Sequence, residues 1–290
     1  MSASCPTRLI YCLTITPPGR TVRGYTLFVY HLKGGVGKST LVTNIAGALS
    51  RLGKKVLLID MDPQCATTFM VGAQPVPREE SIGGAMMDLH TLASLVKRTR
   101  FPGIEILPGS YDLWALDLSL GQVPEGRDKL LSMALKPVRD LYDLVLIDSH
   151  NKYGLAEVNA LVAADSVLIP VQVGVLPFEC LPQVQDMLRG FEETHAKKVP
   201  ILGYVVTMFR RNASLVHWHT LSKDTDRVLR EKYGALVFDQ VIDYDENVAL
   251  APRLQEPVEY YSGRARATEE FISLTKEVLA RIDGGKNNGQ

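Results

Sequence analysis

Short apolar runs alternate with longer stretches of helical periodicity along most of the 290-residue chain. The runs predict strands over Thr26–His31, Lys55–Ile59, Ile104–Leu107, Leu144–Ile147, Val167–Val171, Ile201–Val206 and Leu236–Ile242. Several are β-branched and lack polar alternation, as strands buried on both faces of a parallel sheet must. Helices are predicted over Lys38–Arg51, Phe178–Glu193 and Leu215–Tyr233. Near the C-terminus Phe271, Leu274, Val278 and Ile282 recur at helical spacing. The alternation predicts an α/β fold, a single doubly wound, mostly parallel sheet flanked by helices, with ligands at the carboxyl ends of the strands. Residues 1–24, holding Pro6, Pro17, Pro18, Gly19 and Gly24, read as a flexible extension before one domain over 25–283. The Gly/Asn-rich 284–290 reads as a disordered tail.

Composition narrows the class only a little. At 46% hydrophobic and 22% charged residues, the chain is an ordinary globular one, and its length suits one large α/β domain. Thirty-two basic residues balance thirty-two acidic ones, so attachment to nucleic acid or lipid has to come from local patches. Cys5, Cys12, Cys65 and Cys180 show no CxxC spacing, which argues against a zinc site or disulfide framework and for a reducing, cytoplasmic setting. No apolar run approaches the roughly 20 residues of a membrane span. Leu9–Ile15 is apolar but short, and Pro17-Pro18-Gly19 follow it closely.

Between the first strand and the first helix stands Lys33-Gly34-Gly35-Val36-Gly37-Lys38-Ser39-Thr40. Phosphates need converging donors and a backbone that can approach closely. Glycines remove the Cβ obstacle, and the helix N-terminus adds partial positive charge. In such a loop Lys38 reaches the β/γ-phosphates and the Ser39 hydroxyl ligates magnesium. The usual pattern would put glycine at position 32. Leu32 is there instead, and a second lysine, Lys33, opens the loop.

Two acidic strand ends follow. Val56-Leu57-Leu58-Ile59-Asp60-Met61-Asp62-Pro63-Gln64 comes soon after the first helix, so its strand can lie beside the first and deliver Asp60 and Asp62 to the loop. A carboxylate there can orient water or help neutralise a γ-phosphate. Asp143-Leu144-Val145-Leu146-Ile147-Asp148 is an apolar strand ending in an acid, placing Asp148 to hold magnesium.

With Lys33 in the loop and Asp60-Met61-Asp62-Pro63-Gln64 after it, the chain resembles the ParA/MinD family of deviant Walker A P-loop ATPases. The likeness extends through Asn159–Val171, Gly203–Phe209, Pro257–Tyr260 and Ala265–Ala267, which favours the ParA branch. The resemblance implies ATP and Mg2+ as cofactors and an ATP-dependent homodimer in which Lys33 reaches the partner's nucleotide. It gives Asp62 the attacking water and Asp60 a place in the magnesium shell, and it sets Met208 near the adenine. Relatives continue after the second acidic strand with a small turn such as Thr-Pro-Pro. Here Ser149-His150-Asn151-Lys152 follow, read as a relaxed, variable exposed loop whose His150 and Lys152 could also touch nucleotide or a dimer partner.

The basic membrane helix of MinD relatives has no counterpart, because the C-terminal helix carries Glu269, Glu270 and Glu277. The ParA branch implies non-specific DNA binding, a ParB-like centromere-binding partner or a cargo adaptor, and nucleoid association. Candidate DNA contacts are Arg210, Arg211, Lys223, Arg227, Arg230 and Arg253, with Lys232, Arg264 and Arg266 as extensions. Relatives often carry a basic Ile-Pro-Arg-Asn-Val stretch. This chain has Ile242-Asp243-Tyr244-Asp245-Glu246-Asn247-Val248, which should weaken attachment. Alternatives are an ATPase that positions a protein cargo on the nucleoid, or an ATP-dependent small-molecule ligase or synthetase sharing the deviant loop.

Overall fold

The structure, a computed structural model, describes residues 23–174, 179–211 and 216–287. The predicted extension up to residue 22, the last three residues, and Phe178 and Leu215, where two predicted helices begin, lie outside it. Among the described residues seven strands form one sheet: β1 (Tyr25–Val29), β2 (Val56–Asp60), β3 (Lys97–Arg98), β4 (Ile104–Leu107), β5 (Leu144–Asp148), β6 (Ser166–Gln172) and β7 (Ile201–Thr207). Their spatial order is β3-β4-β2-β5-β1-β6-β7, and every pairing is parallel except β3 with β4.

All five residues of β2 and of β5 are buried, so these strands can carry apolar side chains on both faces. Side-chain alternation then divides the core in two. Leu27, Val29, Leu58 and Leu146 pack on one face against α1 (Lys38–Arg51) and the last helix. Phe28, Tyr30, Leu57 and Ile147 pack on the other. That second face is covered by α2 (Leu155–Ala163), α3 (Leu181–His195) and α4 (Val216–Tyr233). The last helix, α5 (Arg266–Asn287), turns Phe271, Leu274, Val278 and Ile282 to the first face at their predicted spacing. It continues through Gly284 and Gly285, beyond the boundary expected from composition. Once a helix is nucleated each further residue gains a hydrogen bond, and no proline stops it here.

The expected strand at Leu236–Ile242 is not a strand. Gly234–Leu236 is a 3-10 turn, and beyond it the chain meets β7 at an isolated bridge at Val237 and through the Ile242 N–H, which donates to the Val206 carbonyl at 2.9 Å, with a second bridge beyond the end of β7 at Asp243. Between them the ladder is interrupted by a side chain. The Asp239 and Gln240 N–H groups donate to the Glu277 carboxylate on α5, at 3.0 and 3.1 Å.

Candidate active site

β1 feeds directly into the glycine loop. His31 is buried, and its Nδ1 accepts a hydrogen bond from the Lys33 N–H at 2.9 Å, closing the first turn. Gly35 and Gly37 have φ of 77° and 95°, a region a side chain disfavours, so glycine is required at both places. Gly37 caps α1 without a side-chain bond, which leaves the first N–H groups of the helix to a ligand. The Thr207 hydroxyl donates to the Val36 carbonyl at 3.0 Å and fastens the loop to the end of β7. Lys38 is buried with its Nζ 3.5 Å from the His31 carbonyl oxygen. Burial lowers its pKa, while the nearby Asp148 and Asp62 carboxylates pull it back up.

β2 and β5 are adjacent, and Asp60 and Asp148 are register partners at their carboxyl ends. Both are fully buried, and burial raises both pKa values, with Asp148 adding to the shift of Asp60. Their bonding differs. Asp60 accepts from the Asp62 N–H at 3.1 Å, the Thr68 N–H at 2.8 Å and the Thr68 hydroxyl at 2.6 Å. The same Thr68 hydroxyl accepts from the Gly109 N–H at 2.8 Å. Asp148 accepts from the Thr67 hydroxyl at 2.7 Å on Oδ2, and the Ser39 hydroxyl also holds its pKa down. Its Oδ1 is buried with no hydrogen-bond partner among the described residues. A buried, unpartnered carboxylate oxygen beside a serine hydroxyl suits a hard cation with oxygen ligands, so Asp148 and Ser39 fit magnesium well. Asp60 has most of its acceptor capacity taken by the chain itself.

Asp62 is half-buried, and its Oδ1 accepts from the Gln64 N–H at 2.8 Å. With Gln64 and Asn151 it lines a cavity of about 360 Å³ over Gly34, Gly35, Gly37, Lys38, Ser39 and Thr40. Lys33 is not part of that lining. A second cavity of about 280 Å³ adjoins the first through Gly37, Thr40, Met70 and Met208, and is walled by Val248, Ala249, Pro252 and Phe271. The arrangement is polar and cationic at one end and largely apolar at the other, the shape of a nucleotide's phosphate and base. Met208 stands at the junction with φ of 56°.

The loop after β5 is not the relaxed segment its lack of prolines suggests. His150 Nδ1 pairs with Glu157 Oε1 at 2.7 Å, and Glu157 is fully buried. That contact raises the His150 pKa. The Lys152 carbonyl accepts from the Tyr30 hydroxyl at 2.9 Å, and Lys152 Nζ lies over the Trp114 ring.

The basic candidates lie elsewhere, and four of them face carboxylates. Arg211 bonds Asp243 through Nε at 2.9 and 3.0 Å, and Arg266 pairs with Asp243 and with Glu270. Arg227 sits between Glu231 at 3.0 Å and Asp224 at 3.5 Å. Arg230 is held by Asp226, Asp239 and the Phe238 carbonyl. Arg210 stacks over Tyr244, while Lys223, Arg253 and Arg264 are exposed. The sequence reading missed Thr67, Thr68, Thr207 and Glu157. Only the threonine pair close behind Asp62-Pro63-Gln64 could have been noticed.

Comparison with known proteins agrees with this geometry. The AAA-domain family model matches residues 24–201. The chromosome partitioning protein ParA of Caulobacter vibrioides is 31% identical over 88% of this chain and 94% of its own length. Among solved structures, an ATP complex of McdA from Cyanothece superposes with a TM-score of 0.78 at 23% identity, covering 88% of this chain and 96% of that one. Cobyrinic acid a,c-diamide synthase from Mycobacterium smegmatis, solved with an ATP analogue and magnesium, gives 0.73 at 24% identity, covering 90% and 96%. Among the described residues no helix is long and apolar enough to cross a membrane.

Proposed function

This chain belongs to the ParA/MinD-type family of P-loop ATPases, and from that premise we propose that it is a ParA-like partition ATPase that dimerises on ATP. One observation carries the reading. Lys38 lines the phosphate cavity and Lys33 does not, although Lys33 opens the same loop. Lys33 is half-buried and outside that lining, which leaves it available to a second copy facing the loop, and this supports a sandwich dimer closed over two nucleotides. A chain-spanning likeness to a chromosome partitioning ParA supports the cellular role.

In this reading the loop N–H groups and Lys38 bind the β- and γ-phosphates. Ser39 and Asp148 would hold Mg2+, which offsets phosphate charge when bound. Asp62 orients the attacking water, its carboxylate steadied by the Gln64 N–H. The Asp60 carboxylate, tied by Thr68 and the Asp62 N–H, holds the turn that presents Asp62. Hydrolysis stimulated by a ParB-like partner would then release the dimer from the nucleoid, a cytoplasmic cycle.

A second reading, an ATPase that positions a protein cargo on the same platform, is favoured by the carboxylates facing Arg211, Arg227, Arg230 and Arg266. Both readings require the dimer. Light scattering should show the mass doubling when ATP and magnesium are added, and Lys33→Ala should keep nucleotide binding while losing turnover. An unchanged mass in ATP would overturn the sandwich.

A further inference from the structure

The segment between β5 and α2 is anchored more heavily than a variable loop needs to be. His150 pairs with the fully buried Glu157 at 2.7 Å. The other oxygen of Glu157 accepts from the Gly154 N–H at 3.0 Å. The Lys152 carbonyl is held by Tyr30, and the Ala156 N–H donates to Asp117 at 2.8 Å. Between these anchors, Asn151 alone of the segment lines the phosphate cavity. Its amide nitrogen stands over the glycine loop, where a methyl group on Gly34 would lie 3.5 Å from Nδ2.

We propose that Asn151 donates a hydrogen bond to the terminal phosphate of the nucleotide, and that the His150–Glu157 pair positions it. The direction of the cavity supports the choice of phosphate. Its apolar end, at Val248 and Pro252, fits the base, so Asp62, Gln64 and Asn151 mark the opposite end, where the γ-phosphate must stand. An amide N–H2 is a neutral donor, suited to phosphate oxygens already facing Lys38. A side chain on an unanchored loop would lose conformational entropy on each binding event. Fixing His150 to a buried carboxylate removes much of that cost beforehand. His150 acts through Asn151 and is a positioning residue.

This inference rests on the cavity being the ATP site, and the test separates the two ideas. The affinities of the full chain for ADP and for the non-hydrolysable analogue AMPPNP are measured with magnesium. Asn151→Ala should weaken AMPPNP about tenfold, as expected for a lost bond to a charged group. ADP affinity should stay within about twofold, because ADP has no γ-phosphate. His150→Ala should show the same selective loss, His150→Gln should restore part of it, and the double variant should be no weaker than Asn151→Ala alone. Equal losses for ADP and AMPPNP, or additive losses in the double variant, would overturn the proposal. Wild-type protein that binds neither nucleotide would instead sink the ATPase reading itself. If His150→Ala fails to fold, His150→Gln and its double variant with Asn151→Ala decide in its place.

Discussion

Two buried aspartates on adjacent strands are bonded in different ways. Asp60 is tied by three donors from its own chain, whereas Asp148 keeps one buried oxygen without a hydrogen-bond partner among the described residues. The sequence made the two look alike, because each ends an apolar strand. What separates them is Thr67 and Thr68, whose hydroxyls reach Asp148 and Asp60 from a short helix, Ala66–Met70, that periodicity does not reveal. Asp62 is free of such duties apart from a single bond to the Gln64 N–H. Replacing it with alanine leaves the phosphate donors in place. Asp62→Ala should therefore keep AMPPNP affinity within a few-fold and lower phosphate release by at least about a hundredfold. Wild-type turnover in that variant would move the water to another carboxylate.

At the scale of elements, the strands of the sheet interior were legible because burial on both faces forces unbroken apolar runs. The segment around Val237 carries the same signal, yet Glu277, some 40 positions on, takes the N–H groups a ladder would need. No local pattern reports that. The loop after β5 is exposed at Asn151 and Lys152 as expected, but its anchoring was not legible, since the anchors Tyr30 and Glu157 lie outside it.

A comparable long-range contact joins α1 to the turn before α5. Glu259 is fully buried against Gly47, where a side chain on the glycine would collide with its carboxylate. Both carboxylate oxygens lack hydrogen-bond partners among the described residues. Burial pushes its pKa well above the usual 4.5, against a smaller pull from Arg51. The folded state then holds the proton more tightly than the unfolded one. Its stability contribution is complete below about pH 4.5 and is lost as pH rises through the raised value. Glu259→Gln stays neutral throughout. It should match the wild-type melting temperature near pH 4.5 and exceed it by a few degrees at pH 8. Melting curves that stay parallel across that range would show the carboxylate to be paired after all.

The whole molecule sets an ATP face against a surface whose charge is largely cancelled. The net charge is zero, and four of the arginines expected to contact DNA pair with carboxylates. Arg230 in particular holds the Phe238 carbonyl and Asp239, so its loss would disturb the packing of α4 as well as remove a charge. Arg227 is the cleaner probe, because it is exposed and its partners Asp224 and Glu231 lie on its own helix. Exposed pairs of this kind are worth little to stability, so they can be opened without unfolding the chain. The ATP-bound dimer should bind unrelated duplexes with similar, weak affinity, and binding should fall steeply with salt as counterions are released. Replacing both acids, Asp224→Asn with Glu231→Gln, frees one arginine per protomer, hence two per dimer. If that helix faces DNA, affinity should rise, and the slope of log affinity against log salt should steepen by roughly 0.9 for each phosphate newly contacted. Gel-shift titrations over a range of salt, with AMPPNP and magnesium, measure both quantities. An unchanged slope would place the DNA surface elsewhere. No binding at the lowest salt would favour a protein cargo system over direct partition of DNA.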